Sequence, residues 1–117
     1  MNTAFYLSTC STCNQILKAI SLPAEVQLQD IKTNKISPEQ LDEMRRLSGS
    51  YESLFSRRAM KYKSMGLKDK ALKEDDYRSL ILEEYTFLKR PVFVMGDYIS
   101  VGNSKKQIEE LKQHLSS

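Results

Sequence analysis

Hydrophobic and polar positions change their period several times along this chain, and each change predicts an element. Residues 3–8 (Thr-Ala-Phe-Tyr-Leu-Ser) form the aromatic and apolar run of a short buried strand. From Cys13 the spacing becomes helical. Cys13, Ile16, Leu17 and Ile20 fall at i, i+3, i+4 and i+7 and predict an amphipathic helix that stops before Pro23. Residues 25–31 (Glu-Val-Gln-Leu-Gln-Asp-Ile) alternate polar and apolar, which predicts a half-buried strand.

A helical middle follows. Ser37-Pro38-Glu39-Gln40 supplies a cap, a proline at the first helical position and a glutamine three residues after the cap. Leu41, Met44 and Leu47 make the apolar stripe of that helix, and Ser48-Gly49-Ser50 ends it. A shorter helix is predicted over residues 51–55, and irregular or weakly helical chain, broken at Gly66, beyond it. Residues 74–88 predict a helix with Tyr77, Leu80, Ile81, Tyr85 and Leu88 on one side, its acids gathered at the start where the helix dipole favours them. Arg90-Pro91 leads into Val92-Phe93-Val94-Met95; a Gly96-Asp97 turn and Tyr98-Ile99-Ser100-Val101 complete a β-hairpin. Ser104 and Gln107 open a last helix with the same capping arrangement, Ile108, Leu111 and Leu115 facing inward.

The order is thus β-α-β, helices, then β-β-α. A β-α-β unit requires a parallel pair with a right-handed crossover, whereas the hairpin is antiparallel. The expected fold class is α/β: a four-stranded mixed sheet flanked by the first and last helices, with residues 35–87 as a helical elaboration.

Composition narrows the setting. The 117 residues suit one domain, and 40% apolar with 28% charged residues is ordinary for a globular protein. No apolar run approaches the roughly 20 residues that cross a bilayer, and the N-terminus lacks the basic and apolar regions of a secretory signal. A cytoplasmic location is therefore expected. A net charge of +3 is too small to imply nucleic acid. The charge is uneven, however: Arg57, Arg58, Lys61, Lys63, Lys68, Lys70 and Lys73 are accompanied only by Asp69. A solvated face is the favoured reading, with an anionic ligand or partner the alternative.

In a reducing compartment the only two cysteines, Cys10 and Cys13, argue for catalysis, redox sensing or metal rather than a structural disulfide. Cys10 lies where the first strand meets the first helix. The free N–H groups there favour an anion and so a thiolate, and the same helix end suits an external oxyanion. Cys13 lies one turn further in, on the stripe facing the core. Cys10 should be the reactive sulfur and Cys13 the shielded one, able to close a disulfide. Tetrahedral zinc needs four ligands, which two cysteines and a distant His114 do not supply, so no metal site is expected. Packing cysteines remain an alternative, though Ser, Thr and Asn around them make a poor apolar setting. Proline before a strand is often a strand-start device. In a thiol-active layout of this order, however, Pro91 is expected to be cis and opposite the cysteine turn, with Arg90 beside Cys10, where a guanidinium pairs with a thiolate or clamps an oxyanion. Arg58 is a third candidate.

Tyr6 to Cys13 (Tyr-Leu-Ser-Thr-Cys-Ser-Thr-Cys), Phe55-Ser-Arg-Arg58, Tyr62-Lys-Ser-Met-Gly-Leu67, Leu88-Lys-Arg-Pro91 and Val101-Gly102 resemble the ArsC/Spx family over essentially the whole chain. The resemblance implies a thioredoxin-like fold, its core about residues 1–34 and 88–117, with a helical insertion at about 35–87. It places the family's nucleophile on Cys10, a second cysteine on Cys13, oxyanion-binding arginines on Arg58 and Arg90, and the active-site proline on Pro91. It further implies an arsenate-reductase-type oxidoreductase without a bound cofactor, reduced by glutathione with glutaredoxin or by thioredoxin. The alternative it implies is an Spx-like regulator that binds RNA polymerase through a Cys10–Cys13 disulfide switch. The family's glutaredoxin-coupled reductases carry a further arginine where this chain reads Ser100 to Lys106. A monomer that contacts neither nucleic acid nor membrane is expected.

Overall fold

β1 (Asn2–Tyr6) lies inside a sheet, with β2 (Gln27–Asp30) parallel on one side and β3 (Val92–Met95) antiparallel on the other. β4 (Tyr98–Val101) pairs antiparallel with β3, giving the order β2-β1-β3-β4. α1 (Ser11–Ala19) is the crossover from β1 to β2, and α5 (Lys105–Ser116) follows the hairpin. The computed structural model describes residues 1–116. The chain divides into two units, Met1–Lys35 with the chain from Arg90 onward, and Ile36–Lys89. The mixed sheet of the first is the one the sequence periods predict.

In the sheet unit, Ala4 and Phe93 stand opposite each other in register and are buried with Ile16 of α1 and Leu111 of α5. Leu17, Ile20, Ile108 and Leu115 pack around them, so both predicted stripes serve one sheet face. On the other face Phe5, Val92 and Val94 are buried as well. The Tyr98 and His114 rings stack 3.7 Å apart and hold the end of α5 to β4. No helix among the described residues is long and apolar enough to cross a membrane.

Three expectations change in detail. The first strand ends at Tyr6 rather than residue 8, because the Cys10 N–H turns back to the Leu7 carbonyl (2.9 Å). In β2 the apolar phase does not mark the buried one: Leu28 is 57% exposed, whereas Gln29 is buried. β2 is an edge strand, which leaves its outer flank open, and the Gln29 amide is satisfied by the Asn34 carbonyl at 3.1 Å. At the start of α5, Ser104 accepts the Gln107 N–H, but the Gln107 amide donates to Ser100 instead of returning to the cap.

The helical unit begins with α2 (Pro38–Ser48), whose predicted capping box forms in full between Ser37 and Gln40. Gly49 ends it at φ 100°, a left-handed conformation in which a Cβ would be strained. A 3-10 turn (Glu52–Leu54), α3 (Met60–Ser64), a second 3-10 turn (Leu67–Asp69) and α4 (Glu74–Glu83) follow. Phe55 is the centre of this unit's core, stacked on Phe87 at 5.0 Å and edge-on to Tyr77 at 4.9 Å and Tyr62 at 6.0 Å. Each such aromatic pair adds about 0.5–1.5 kcal/mol beyond the area it buries. The helix predicted to run to residue 88 stops at Glu83. Extended backbone at Glu84 lets residues 85–89 turn back, and Ser56 and Lys89 then bond to Phe87 and Leu54 at 2.7 and 2.8 Å. α3 buries none of its residues and Met60 is 88% exposed, so the basic stretch is largely a solvated face.

Candidate active site

The end of β1 hands the chain to α1 through a turn from Leu7 to Cys10. Cys10 occupies the N-cap position with extended backbone (φ −95°, ψ 113°), and the Asn14 N–H bonds its carbonyl at 3.1 Å. The Ser-Thr sequence behind it carries no large side chain, so the sulfur stays partly exposed while Cys13, one turn on, is fully buried. Both are free thiols.

The two sulfurs are driven in opposite directions. For Cys10, burial favours the neutral thiol, but other effects together outweigh it. The Cys13 N–H, the Cys13 thiol, the Thr12 N–H and the charge of Arg90 all favour the thiolate, and the pKa lies below its ordinary value. The Cys10 side chain makes no capping bond that meets hydrogen-bond geometry, and an anion is the form that the open amides of α1 suit. Cys13 is pushed up to about 11, first by burial, while the Leu7 amide pulls the other way. Its thiol, directed at the Cys10 sulfur, is held protonated by that hydrogen bond and by the neighbouring charge.

Arg90 and Pro91 enter from the start of β3. The Arg90–Pro91 peptide is cis, and their carbonyls accept the Asn103 side-chain amide at 3.2 Å and the Gly102 N–H at 2.9 Å. Gly102 does this at φ 85°, where a side chain would be strained. Gly102-Asn103 is thus the stretch that fixes the backbone at Arg90 and Pro91. Cys10, Cys13, Arg90 and Pro91 all belong to the sheet unit, and the charge of Arg90 acts on both sulfurs. Arg58 belongs to the helical unit, exposed just before α3, and makes no ion pair among the described residues. Its neighbour Arg57 is engaged, with Glu52 at 2.8 Å, the Tyr77 hydroxyl at 3.0 Å and the Tyr77 ring beneath it.

The sequence model of the ArsC family matches residues 5–111. The chain belongs to the ArsC family. The uncharacterized protein YusI of Bacillus subtilis strain 168 is 28% identical over 112 residues, which are 92% of this chain and 95% of YusI. A crystal structure described as a possible arsenate reductase from Streptococcus mutans UA159 is similar at 25% identity and TM-score 0.71, covering 95% of this chain and 97% of that one. The arsenate reductase from Vibrio cholerae shares the fold at 19% identity and TM-score 0.73, covering 93% and 95%. With the mixed sheet and its flanking helices, these place this ArsC-family chain in the thioredoxin-like class.

Two residues near Cys10 escaped the sequence reading. Asn14 donates its side-chain amide to the Ser8 carbonyl at 3.0 Å, and Asp30 accepts the Ser8 N–H at 3.3 Å. Asn14 lies off the apolar stripe of α1, and Asp30 interrupts the alternation of β2. Those two irregularities were the only signals available.

Proposed function

We propose that this ArsC-family protein is a thiol-dependent oxidoreductase of the arsenate-reductase type. The observation that carries the reading is the partly exposed Cys10 at the start of α1, favoured as a thiolate by two backbone amides and by Arg90. On this reading the Cys10 thiolate attacks the arsenic of an arsenate whose oxygens are held by Arg90 and Arg58. A sulfur–arsenic bond forms, and one arsenate oxygen takes up protons and leaves as water. Cys13, once deprotonated, then attacks the Cys10 sulfur. The disulfide forms, the sulfur–arsenic bond breaks with its electron pair left on arsenic, and arsenite departs. Thioredoxin returns the pair to dithiol. In the alternative branch glutathione supplies the second thiol and glutaredoxin completes the reduction. The contact between the Cys13 thiol and the Cys10 sulfur favours the first branch. The protein acts on this reading as a cytoplasmic monomer with no bound metal or cofactor.

The test is an NADPH-coupled assay with arsenate and either the thioredoxin or the glutaredoxin system. Turnover is expected for the wild type and falls at least about a thousandfold in Cys10→Ser. Arg90→Ala loses at least about tenfold. Cys13→Ala stays active only with glutathione and glutaredoxin. The contact between the sulfurs also favours a second reading, a redox-switched regulator whose Cys10–Cys13 disulfide alters the surface offered to RNA polymerase. Absence of turnover with both systems, together with a readily formed disulfide, selects that reading instead.

A further inference from the structure

Ser8 stands two residues before Cys10 on the outside of the Leu7–Cys10 turn, and both of its backbone groups are taken by side chains. Its carbonyl accepts from the Asn14 amide of α1 at 3.0 Å, and its N–H donates to the Asp30 carboxylate at the end of β2 at 3.3 Å. Asp30 also accepts the Lys32 N–H at 3.2 Å, which braces the carboxylate against its own loop. The Ser8 hydroxyl is the first of the groups that hold the Asp30 carboxyl below its usual range, followed, after the opposing effect of burial, by the Lys32 and Ser8 amides. Between these anchors the Cys10 N–H closes the turn on Leu7, and the Cys10 carbonyl starts α1. A peptide that is exposed and lies between two elements would otherwise reorient freely. Here it is tied from both sides, and the sulfur it carries depends on its distance from the Thr12 and Cys13 amides.

We propose that Asn14 and Asp30 are positioning residues for the Cys10 nucleophile: by pinning the two backbone groups of Ser8 they hold the Leu7–Cys10 turn, and the sulfur with it, against the start of α1. The inference rests on Cys10 being the reacting thiolate of the function proposed above. Neither residue reacts. Each acts through the turn, with the shorter Asn14 bond contributing more than the longer Asp30 bond.

The test is the pH profile of Cys10 alkylation by iodoacetamide in the full chain, with the modified residue assigned by mass spectrometry and the fold checked by circular dichroism. Asn14→Ala is expected to raise the alkylation midpoint by about half a unit or more, a roughly threefold smaller thiolate fraction below the midpoint. Asp30→Ala raises it by less, and Asp30→Asn, which keeps an acceptor oxygen for the Ser8 N–H, stays near the wild type. The sign is diagnostic. Loss of a nearby negative charge by itself would lower the midpoint, in Asp30→Ala and Asp30→Asn alike. That joint lowering, or unchanged midpoints in folded Asn14→Ala and Asp30→Ala, overturns the proposal. Should Asn14→Ala not fold, Asn14→Leu, which removes the donor without adding charge, carries the same expectation. Loss of the fold in every variant also overturns it, since the residues would then serve the fold rather than the sulfur. Because alkylation needs no oxyanion, failure of arsenate turnover alone leaves this inference standing.

Discussion

The sheet unit and the helical unit treat their polar groups in contrasting ways. In the helical unit an aromatic core closes around Phe55, and four surface cations are neutralised by nearby acids. Arg46 pairs with Glu43, Arg57 with Glu52, Lys61 with Glu84 and Arg78 with Asp42. Exposed pairs of that kind contribute little to stability but keep the surface charge balanced. The sheet unit instead sets two cysteines where β1 meets α1, and the charge of Arg90 acts on both. There the open amides of a helix serve an anion rather than the fold. The groups found to act on the Cys10 sulfur all come from the sheet unit, while the helical unit's aromatic cluster is its own support.

The sharpest way to break that comparison is Phe55→Ala. Emptying the centre of the aromatic cluster should cost about 3–5 kcal/mol of stability by urea unfolding. The alkylation midpoint of Cys10, measured while the variant is still folded, should stay at the wild-type value; a shifted midpoint would show the two units to be coupled. Next comes the pair of adjacent arginines. Arg58→Ala is expected to lower arsenate turnover by about tenfold, roughly 1.4 kcal/mol of transition-state binding, with unfolding unchanged. Arg57→Ala should do the reverse, costing about 0.5–1 kcal/mol of stability through its bonds to Glu52 and Tyr77 and leaving turnover near the wild type. Identical behaviour of the two would erase the distinction between an engaged and an available cation.

A further effect is read against pH. Cys13 has its folded pKa raised to about 11, so between the free-thiol value near 8.5 and 11 the unfolded chain binds fewer protons than the folded one. Stability is therefore lost as pH rises through that window. Cys10, with its pKa lowered, works in the opposite sense at lower pH, stabilising the folded state as pH rises towards 8.5. Thermal unfolding between pH 8.5 and 10.5 should fall less steeply in Cys13→Ala than in the wild type. Equal slopes would mean that burial does not hold that thiol neutral.

Most elements were legible because their signals are local. The capping box at Ser37, the Gly96-Asp97 turn and the helical spacing from Cys13 to Ile20 each involve residues within two turns of one another, and all appear where their spacing places them. The same holds for the inequality of the cysteines, since helix period alone puts Cys13 on the buried stripe and Cys10 at the helix start. Tertiary structure decided the rest. Leu28 is exposed and Gln29 buried because β2 lies at the sheet edge, and no alternation along a strand reports which strand will be outermost. The helix from Glu74 stops at Glu83 because residues 87–89 find partners at 54–56, some thirty residues back in the chain. Asn14 and Asp30 meet at Ser8 only when α1 and β2 are folded against the end of β1. Periodicity encodes which side of an element is apolar; hydrogen bonds between distant segments follow from where folding brings their ends.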